Sequence, residues 1–340
     1  MARGLRIPRG YIKYVLYTGV LCVLMTGTIV SKCSCPSEAS ATETSNNDRL
    51  PALIFPSVSL TEDPRAATYL AVLILNTPTD ASLRSTIRST WLQLSKGGPS
   101  LVRHYFSLAV KGLPHEEVAS LRRERGDFDD LILLEELQED YAELTRKVVQ
   151  SMAALQQGVK FQYLLKVDSD TFVRLGALLK AIKDINHPRL YMGFLDGSAK
   201  VKRGGKWHES DWSLCDRYLP YALGGGYVLS SQLVEFIVRN RDLLKFYKNE
   251  DVSVGAWLAG LNVKYVHDPR FDTEYRSRGC SNQYIITHKQ SKTDLIQKFD
   301  NIKRTGRMCS REFRVRGSYV YDWSLPPSKC CTRANNSRIP

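Results

Sequence analysis

The chain has no Cys-x-x-Cys pair and no His/Cys set at zinc-ligand spacing, which removes thioredoxin-like redox chemistry and zinc modules. It lacks a Gly-x-x-x-x-Gly-Lys-[Ser/Thr] loop and a strand-linked Gly-x-Gly-x-x-Gly, so neither a P-loop nor a dinucleotide fingerprint is available. No internal repeat is visible. Eight cysteines in 340 residues are too few for a disulfide scaffold. A composition of 43% apolar and 24% charged residues, with 22 Gly and 14 Pro, excludes collagen-like, coiled-coil and disordered chains. The length leaves room for one large domain or two small ones. Basic charge is in excess, at a net +13. That implies an anionic partner without choosing among nucleic acid, phosphorylated small molecules, acidic glycans and membrane.

The N-terminus points to a compartment. Residues 14–30 (YVLYTGVLCVLMTGTIV) carry no charge, and Arg3, Arg6, Arg9 and Lys13 precede them without an acid. A positive flank stays in the cytosol, so the expectation is a single-pass signal-anchor with the C-terminal body across the membrane. A cleaved signal peptide is the alternative. The lack of a small-x-small cleavage site and the length of the apolar run favour the anchor, in a thin early-secretory bilayer. Residues 1–13 then form the cytoplasmic tail, 14–30 the span and 31–65 a polar stem. The luminal body, 66–340, keeps most of the basic excess. Cys22 falls in the span, Cys33 and Cys35 in the stem, and Cys215, Cys280, Cys309, Cys330 and Cys331 in the body. An oxidising lumen predicts structural disulfides, with the pairing open and one body cysteine left over. Asn335-Asn336-Ser337 is an N-glycosylation sequon, or an unused tripeptide near a frayed end.

The body alternates strands and helices. Residues 69–76 (YLAVLILN) form a continuous apolar run, as expected of a strand buried on both faces. A helix over 82–94, a strand over 102–110, a helix over 116–125 and a strand over 131–134 follow. The stretch 140–157 places Tyr141, Leu144, Val148, Met152 and Leu155 on one helical face. A strand over 161–167 and a helix over 175–185 complete a β-α-β-α-β-α-β-α order. That order predicts an α/β fold with a mostly parallel sheet covered on both faces, and ligands beyond the carboxyl ends of its strands. The second half is less regular, with helices near 231–244 and 251–260 and a basic, poorly periodic end. No domain boundary is placed within 66–340.

Asp168-Ser169-Asp170 directly follows the apolar strand. Two carboxylates at a strand end share a site with an anionic diphosphate only if a hard cation bridges them. The plain alternative is a solvated turn. Gly224-Gly225-Gly226 permits either close backbone approach to a ligand or a simple turn. Glu250-Asp251 opens an apolar helix, as first-turn acids or as a general base at a site's mouth. Arg84 and Arg88 share a helix face, as a phosphate clamp or as a solvated surface. Trp207, Trp212, Tyr221 and Trp257 offer a sugar-stacking wall, with core packing expected for at least two.

Together, LRSTIRSTW (83–91), DYAELTRK (140–147), KVDSD (166–170), YLPYALGGGYVLS (218–230) and Glu250-Asp251-Val252 resemble, in order, the beta-1,3-glycosyltransferases of glycosyltransferase family 31. HDPRFDTEYRSRGCSNQYIITHKQS (267–291) and SYVYDWSLPPSKCC (318–331) are similar to the family members that build the glycosaminoglycan linker. The resemblance covers nearly all of 66–340. At 166–170 the family mostly carries a longer acidic run, of which this chain keeps Asp168 and Asp170.

The resemblance implies a GT-A-type fold behind the membrane span, a Golgi membrane location, a Mn2+ cofactor and inversion at the anomeric carbon. It implies galactose transfer from UDP-galactose to the 3-hydroxyl of a galactosyl-xylosyl acceptor on a proteoglycan core protein. Asp168 would face the ribose or metal, Asp170 would be the main metal ligand, and His288 a second one. Asp251 would be the general base. Arg84, Arg88 and Lys147 would hold the nucleotide, with Gly224 and Gly225 close to the nucleotide sugar. A beta-1,3-N-acetylglucosaminyltransferase, or a silent luminal chaperone or lectin-like protein on the same fold, are the rival readings. A nucleic-acid binder is disfavoured by the anchor and by the lack of a nucleic-acid motif.

Overall fold

The computed structural model describes residues 66–95, 97–333 and 339–340. The expected tail, span and stem, with Cys22, Cys33, Cys35 and the Asn335 sequon, lie outside the described residues. No helix among the described residues is long and apolar enough to cross a membrane. Every described residue falls within one compact unit.

Strand β1 (Ala66–Leu75) shows why its sequence has no polar alternation. Leu70, Val72 and Ile74 enter one apolar cluster, and Ala71, Leu73 and Leu75 enter another on the opposite face. A strand covered on both sides has no solvent face to mark. Around it the chain runs α1 (Ala81–Ser89), β2 (Val102–Ala109), α2 (His115–Phe128), β3 (Leu131–Leu134), α3 (Leu144–Gly158) and β4 (Val159–Asp168). Then come β5 (Phe172–Val173), α4 (Leu175–Ile185), β6 (Leu190–Asp196), β7 (Tyr221–Ser230), α5 (Ser231–Arg239), α6 (Glu250–Leu258) and β8 (Lys264–His267).

The main sheet has seven strands in the order β3-β2-β1-β4-β7-β6-β8. β7 runs antiparallel to β4 and β6, and every other neighbouring pair is parallel. This is the mixed α/β, mostly parallel sheet expected from the element order. One face carries apolar residues of α1, α2 and α4, including Ile87, Leu121 and Ile182. The other carries those of α3, α5 and α6, including Met152, Ile237 and Leu258. Truncating any of these buried side chains to Ala removes about 2–5 kcal/mol.

Three local differences from the sequence reading have physical causes. The helix expected over 82–94 breaks at Thr90, and a 3-10 turn (Trp91–Leu94) buries Trp91 completely. The helix expected from Asp140 begins as a 3-10 turn (Tyr141–Glu143), because the Asp140 carboxylate accepts from Ala142 N at 2.8 Å. The glycine triplet lies inside β7, where Gly226 pairs with Val167, and is not a turn.

The irregular C-terminal part adds β9 (Phe271–Asp272), β10 (Gly279–Cys280), β11 (Ile286–Thr287), α7 (Lys292–Thr305) and β12 (Phe313–Arg314). β11 joins β5 antiparallel and β9 parallel. Helix α7 starts at a capping box of Ser291 and Asp294, and it stops at Gly306, whose φ of 72° suits a left-handed cap. Cys280 bonds Cys309 and Cys330 bonds Cys331, which leaves Cys215 exposed and free as the odd body cysteine.

Candidate active site

β1 and β4 end level, since Leu75 pairs with Asp168. Asp168 is thus the last residue of β4, and Asp170 lies just before β5. The pairing of Phe172 with Thr287 brings in the distant His288. Backbone hydrogen bonds fix it there: His288 N donates to Asp272 O at 2.9 Å and Gln290 N to Asp170 O at 2.8 Å. His288 Nε2 then lies 2.8 Å from Asp170 Oδ1 and 3.3 Å from Asp168 Oδ2. The next residue, Lys289, adopts a left-handed φ of 62° and puts Nζ 3.3 Å from Asp170 Oδ2. A non-glycine residue in that region is strained by about 1 kcal/mol, as is common where a site dictates the backbone.

These residues fit a divalent cation. One oxygen of each carboxylate and one His288 nitrogen lie within 4.8 Å of one another. His288 is buried, yet neither ring nitrogen is in a well-directed hydrogen bond. Its Nε2 is close to the carboxylates but poorly aligned with them. Two carboxylates and an imidazole form a donor set for a cation of the Mn2+ class. In the protein alone the acids act on the imidazole instead. Burial opposes its charge, but Asp168 and Asp170 outweigh that and raise its pKa to about 9. A Cβ at Gly225 would stand 2.4 Å from His288 Nδ1, so only glycine lets the ring lie against β7.

Behind the acids sits Lys166, which is 1% exposed. Its Nζ is 3.0 Å from Asp168 Oδ1, 2.9 Å from Glu250 Oε1 and 2.7 Å from Gly224 O. Burial works against its charge, but the two carboxylates hold its pKa above the ordinary lysine value. Burial likewise disfavours ionised Asp168, and Lys166 with His288 overcomes this and drives it well below the carboxylate range. Glu250 is pushed up to about 7 by burial, against the pull of Lys166 and with help from the nearby Asp251. Tyr227 donates its hydroxyl proton to Glu250 Oε1 at 2.9 Å.

The expected general base lies beside this pair. Asp251 is partly exposed, and its Oδ2 accepts from Gly224 N and its Oδ1 from Val252 N, both at 2.9 Å. Burial raises its pKa, although Lys166 and those two N–H groups oppose the rise. Of the two adjacent acids, only Asp251 has solvent access and proton affinity together; Glu250 is committed to Lys166 and Tyr227. Tyr141, counted on the apolar face of a helix, is instead placed close enough to Asp251 and Glu250 that their charge adds to burial in raising its pKa.

The expected nucleotide-holding cations occupy the carboxyl end of β1. Arg84 is fully buried and forks onto Glu124 with Nε 2.8 Å from Oε1 and a second nitrogen 2.6 Å from Oε2. It also donates to Asn76 Oδ1 at 2.7 Å and Thr77 O at 2.9 Å. Arg88 grips Asp130 at 2.7 and 2.8 Å. Lys147 donates to Asn76 O at 2.7 Å and to both oxygens of Glu139 at 2.8 and 2.6 Å. Three acceptors use all three ammonium protons. Arg84 and Lys147 therefore brace Asn76, the residue after β1, while Arg88 is held by Asp130 and Glu124; the pairs the three cations form need Glu124, Asp130 and Glu139, which carried no expected role. Of the aromatic wall, Trp212, Tyr221 and Trp257 are core residues, while Trp207 is exposed.

Residues 82–269 match the galactosyltransferase family model. The chain belongs to the galactosyltransferase family. The chain is 48% identical to the mouse protein named Beta-1,3-galactosyltransferase 6 over 282 residues, 82% of this chain and 87% of that one. It is 33% identical over 253 residues to an Arabidopsis thaliana protein named Hydroxyproline O-galactosyltransferase GALT5, covering 72% of this chain but only 37% of the plant protein. Among solved structures, a mannosyltransferase from Pyrobaculum calidifontis in complex with GDP-Man and Mn2+ aligns with TM-score 0.37 and 12% identity, covering 60% of this chain and 55% of that one.

Proposed function

We propose that this protein is an inverting beta-1,3-galactosyltransferase that uses UDP-galactose and Mn2+ on a galactosyl-xylosyl acceptor, the xylosylprotein beta-1,3-galactosyltransferase step of glycosaminoglycan linker synthesis. The observation that carries the reading is the placement of Asp251 beside Gly224 and of His288, grouped with Asp168 and Asp170, against the next residue, Gly225. Lys166, paired with both Asp168 and Glu250, sets the cation cluster and the base at one end of the sheet, where a sugar nucleotide and its acceptor would meet. The 48% identity to a protein named as a beta-1,3-galactosyltransferase supports the sugar and linkage. The acceptor rests on the resemblance of residues 267–291 and 318–331.

Asp168, Asp170 and His288 would hold a divalent cation, which would supply Lewis-acid stabilisation of negative charge on the diphosphate. Lys166 keeps Asp168 ionised for that purpose. Asp251 takes the proton of the acceptor 3-hydroxyl as its oxygen attacks the anomeric carbon, opposite the departing UDP. One displacement converts the alpha-linked donor into a beta-1,3 product. Arg84 and Lys147 support the nucleotide end of the site by fixing Asn76 at the carboxyl end of β1, and Arg88 braces Glu124, the partner of Arg84. The protein acts as a single-pass Golgi membrane protein with its body luminal, a reading supported by the uncharged run and basic flank of residues 1–30.

The test is transfer by the full-length chain, purified in detergent, from UDP-galactose to a galactosyl-xyloside, with and without Mn2+. The expected product carries a new beta-1,3 galactose and forms only with the cation. Transfer to a simple xyloside, or from UDP-N-acetylglucosamine in preference, overturns the assignment.

A further inference from the structure

The segment joining β6 to β7 is largely exposed, and within residues 202–210 only Glu209 is buried, at 1% exposure. A carboxylate turns inward from such a stretch when donors meet it there. Glu209 Oε2 accepts from Lys248 N at 2.9 Å, from Asn249 N at 3.3 Å and from Asn249 Nδ2 at 3.4 Å. Asn249 is the N-cap of α6, and its own side chain makes no capping bond. Its Nδ2 donates instead to Trp207 O at 3.1 Å. Two further ties run the same way. Lys245 Nζ donates to Asp211 O at 2.9 Å, and Lys206 Nζ sits 4.7 Å from the centre of the Tyr141 ring. Tyr141 in turn donates to Asn249 Oδ1 at 3.4 Å. Residues 206–211 are thus fastened to the approach of α6, immediately before Glu250 and Asp251.

Trp207 lies between these ties with its backbone pinned and its side chain 43% exposed. Trp91, Trp212 and Trp257 are buried, and the exposed Trp323 stacks on Tyr321 at 4.0 Å. Among the described residues no ring or cation stacks on Trp207. A pinned indole left open to water is a rigid amphipathic surface with little entropy to lose on binding. The face of a beta-galactoside bearing its C3, C4 and C5 hydrogens is apolar and matches such a surface.

We propose that Trp207 is the stacking platform for the acceptor sugar, and that Glu209 is the positioning residue that holds it next to Asp251. This rests on the reading that Asp251 deprotonates a galactoside acceptor. The test compares full-length wild type with Trp207→Ala, Trp207→Tyr, Glu209→Ala and Glu209→Gln, using UDP-galactose and a galactosyl-xyloside and measuring both KM values. Trp207→Ala and Glu209→Ala are expected to raise the acceptor KM about tenfold, the scale of one aromatic contact, with the donor KM within about twofold. Trp207→Tyr, and Glu209→Gln with its remaining acceptor oxygen, are expected to recover most of the loss. An unchanged acceptor KM in Trp207→Ala overturns the platform, even if Glu209→Ala is impaired or fails to fold. Parallel loss of donor and acceptor KM in both overturns it as well. A wild type that transfers galactose to no galactoside defeats the functional reading itself, and this inference with it; the two failures differ in whether wild type turns over.

Discussion

The Lys166 ammonium lies 2.9 Å from the Glu250 carboxylate, with both side chains buried. That contact ties the strand that ends in Asp168 to the helix that opens with Glu250 and Asp251, the proposed base. A buried pair of this kind gains little over an apolar pair, but breaking it strands a charge. Lys166→Met is therefore expected to destabilise the fold by about 3–5 kcal/mol. Denaturant unfolding checks this. Loss of less than about 1 kcal/mol contradicts the central place given to Lys166.

Asp251→Asn keeps an acceptor oxygen for one of the two N–H partners but removes the base. Galactose transfer should fall by about 10²–10⁴-fold, the range of a general base. UDP affinity, measured by calorimetry with Mn2+, should stay within a few-fold of wild type. Turnover near the wild-type rate would falsify the assignment of Asp251.

Gly225→Ala tests the cation site without touching a ligand residue. The new methyl group would sit 2.4 Å from His288 Nδ1, so the ring must move. Displacing a ligand or its support commonly costs metal affinity by about 10–100-fold. UDP binding should lose that much of its Mn2+ enhancement, and wild type in excess chelator should behave like the variant. If cation-dependent UDP binding survives in Gly225→Ala, His288 is not a ligand.

His267 provides a pH signature away from the site. Leu195 N donates to its Nδ1 at 3.1 Å, and its Nε2 lies 3.0 Å from Tyr319 O. Burial lowers its pKa to about 4 from the usual 6.5. The unfolded chain binds the proton more readily, so this group's stability is fully present above pH 6.5 and is lost as pH falls through 4. The loss is on the order of 3 kcal/mol. Unfolding curves at pH 7 and 4.5 should show a steeper acid loss for wild type than for His267→Gln. Equal slopes would mean that His267 titrates normally.

The sheet was legible because β1 and β4 carry continuous apolar runs, and the acid cluster because β4 ends at Asp168 with Asp170 two residues on. The ends of α1 and α3 were less so, since the 3-10 turns at Trp91 and Tyr141 keep the apolar spacing of a helix. His288 came only through family resemblance. Strands β5 and β11 hold two residues each, too short for any periodic signal. Arg84 and Arg88 read more readily as solvated surface than as a phosphate clamp, because Glu124 and Asp130 lie on later elements and leave no local trace. Lys166 and Glu250 stood inside recognisable strings, yet their pairing depends on β7 running between them in space. Glu209 offered no signal beyond one acid in a basic stretch.

The reversed direction of β7 has a consequence for how such a molecule diversifies. The strand enters the sheet at the same rim where β4 leaves it, so whatever chain precedes residue 221 is delivered over the acid cluster. Insertions or deletions there can remodel what hangs above the chemistry while Gly224, Gly225 and Gly226 keep their register. Variation in that single connection is a route to changing what can approach the acid cluster while the sheet beneath it stays intact.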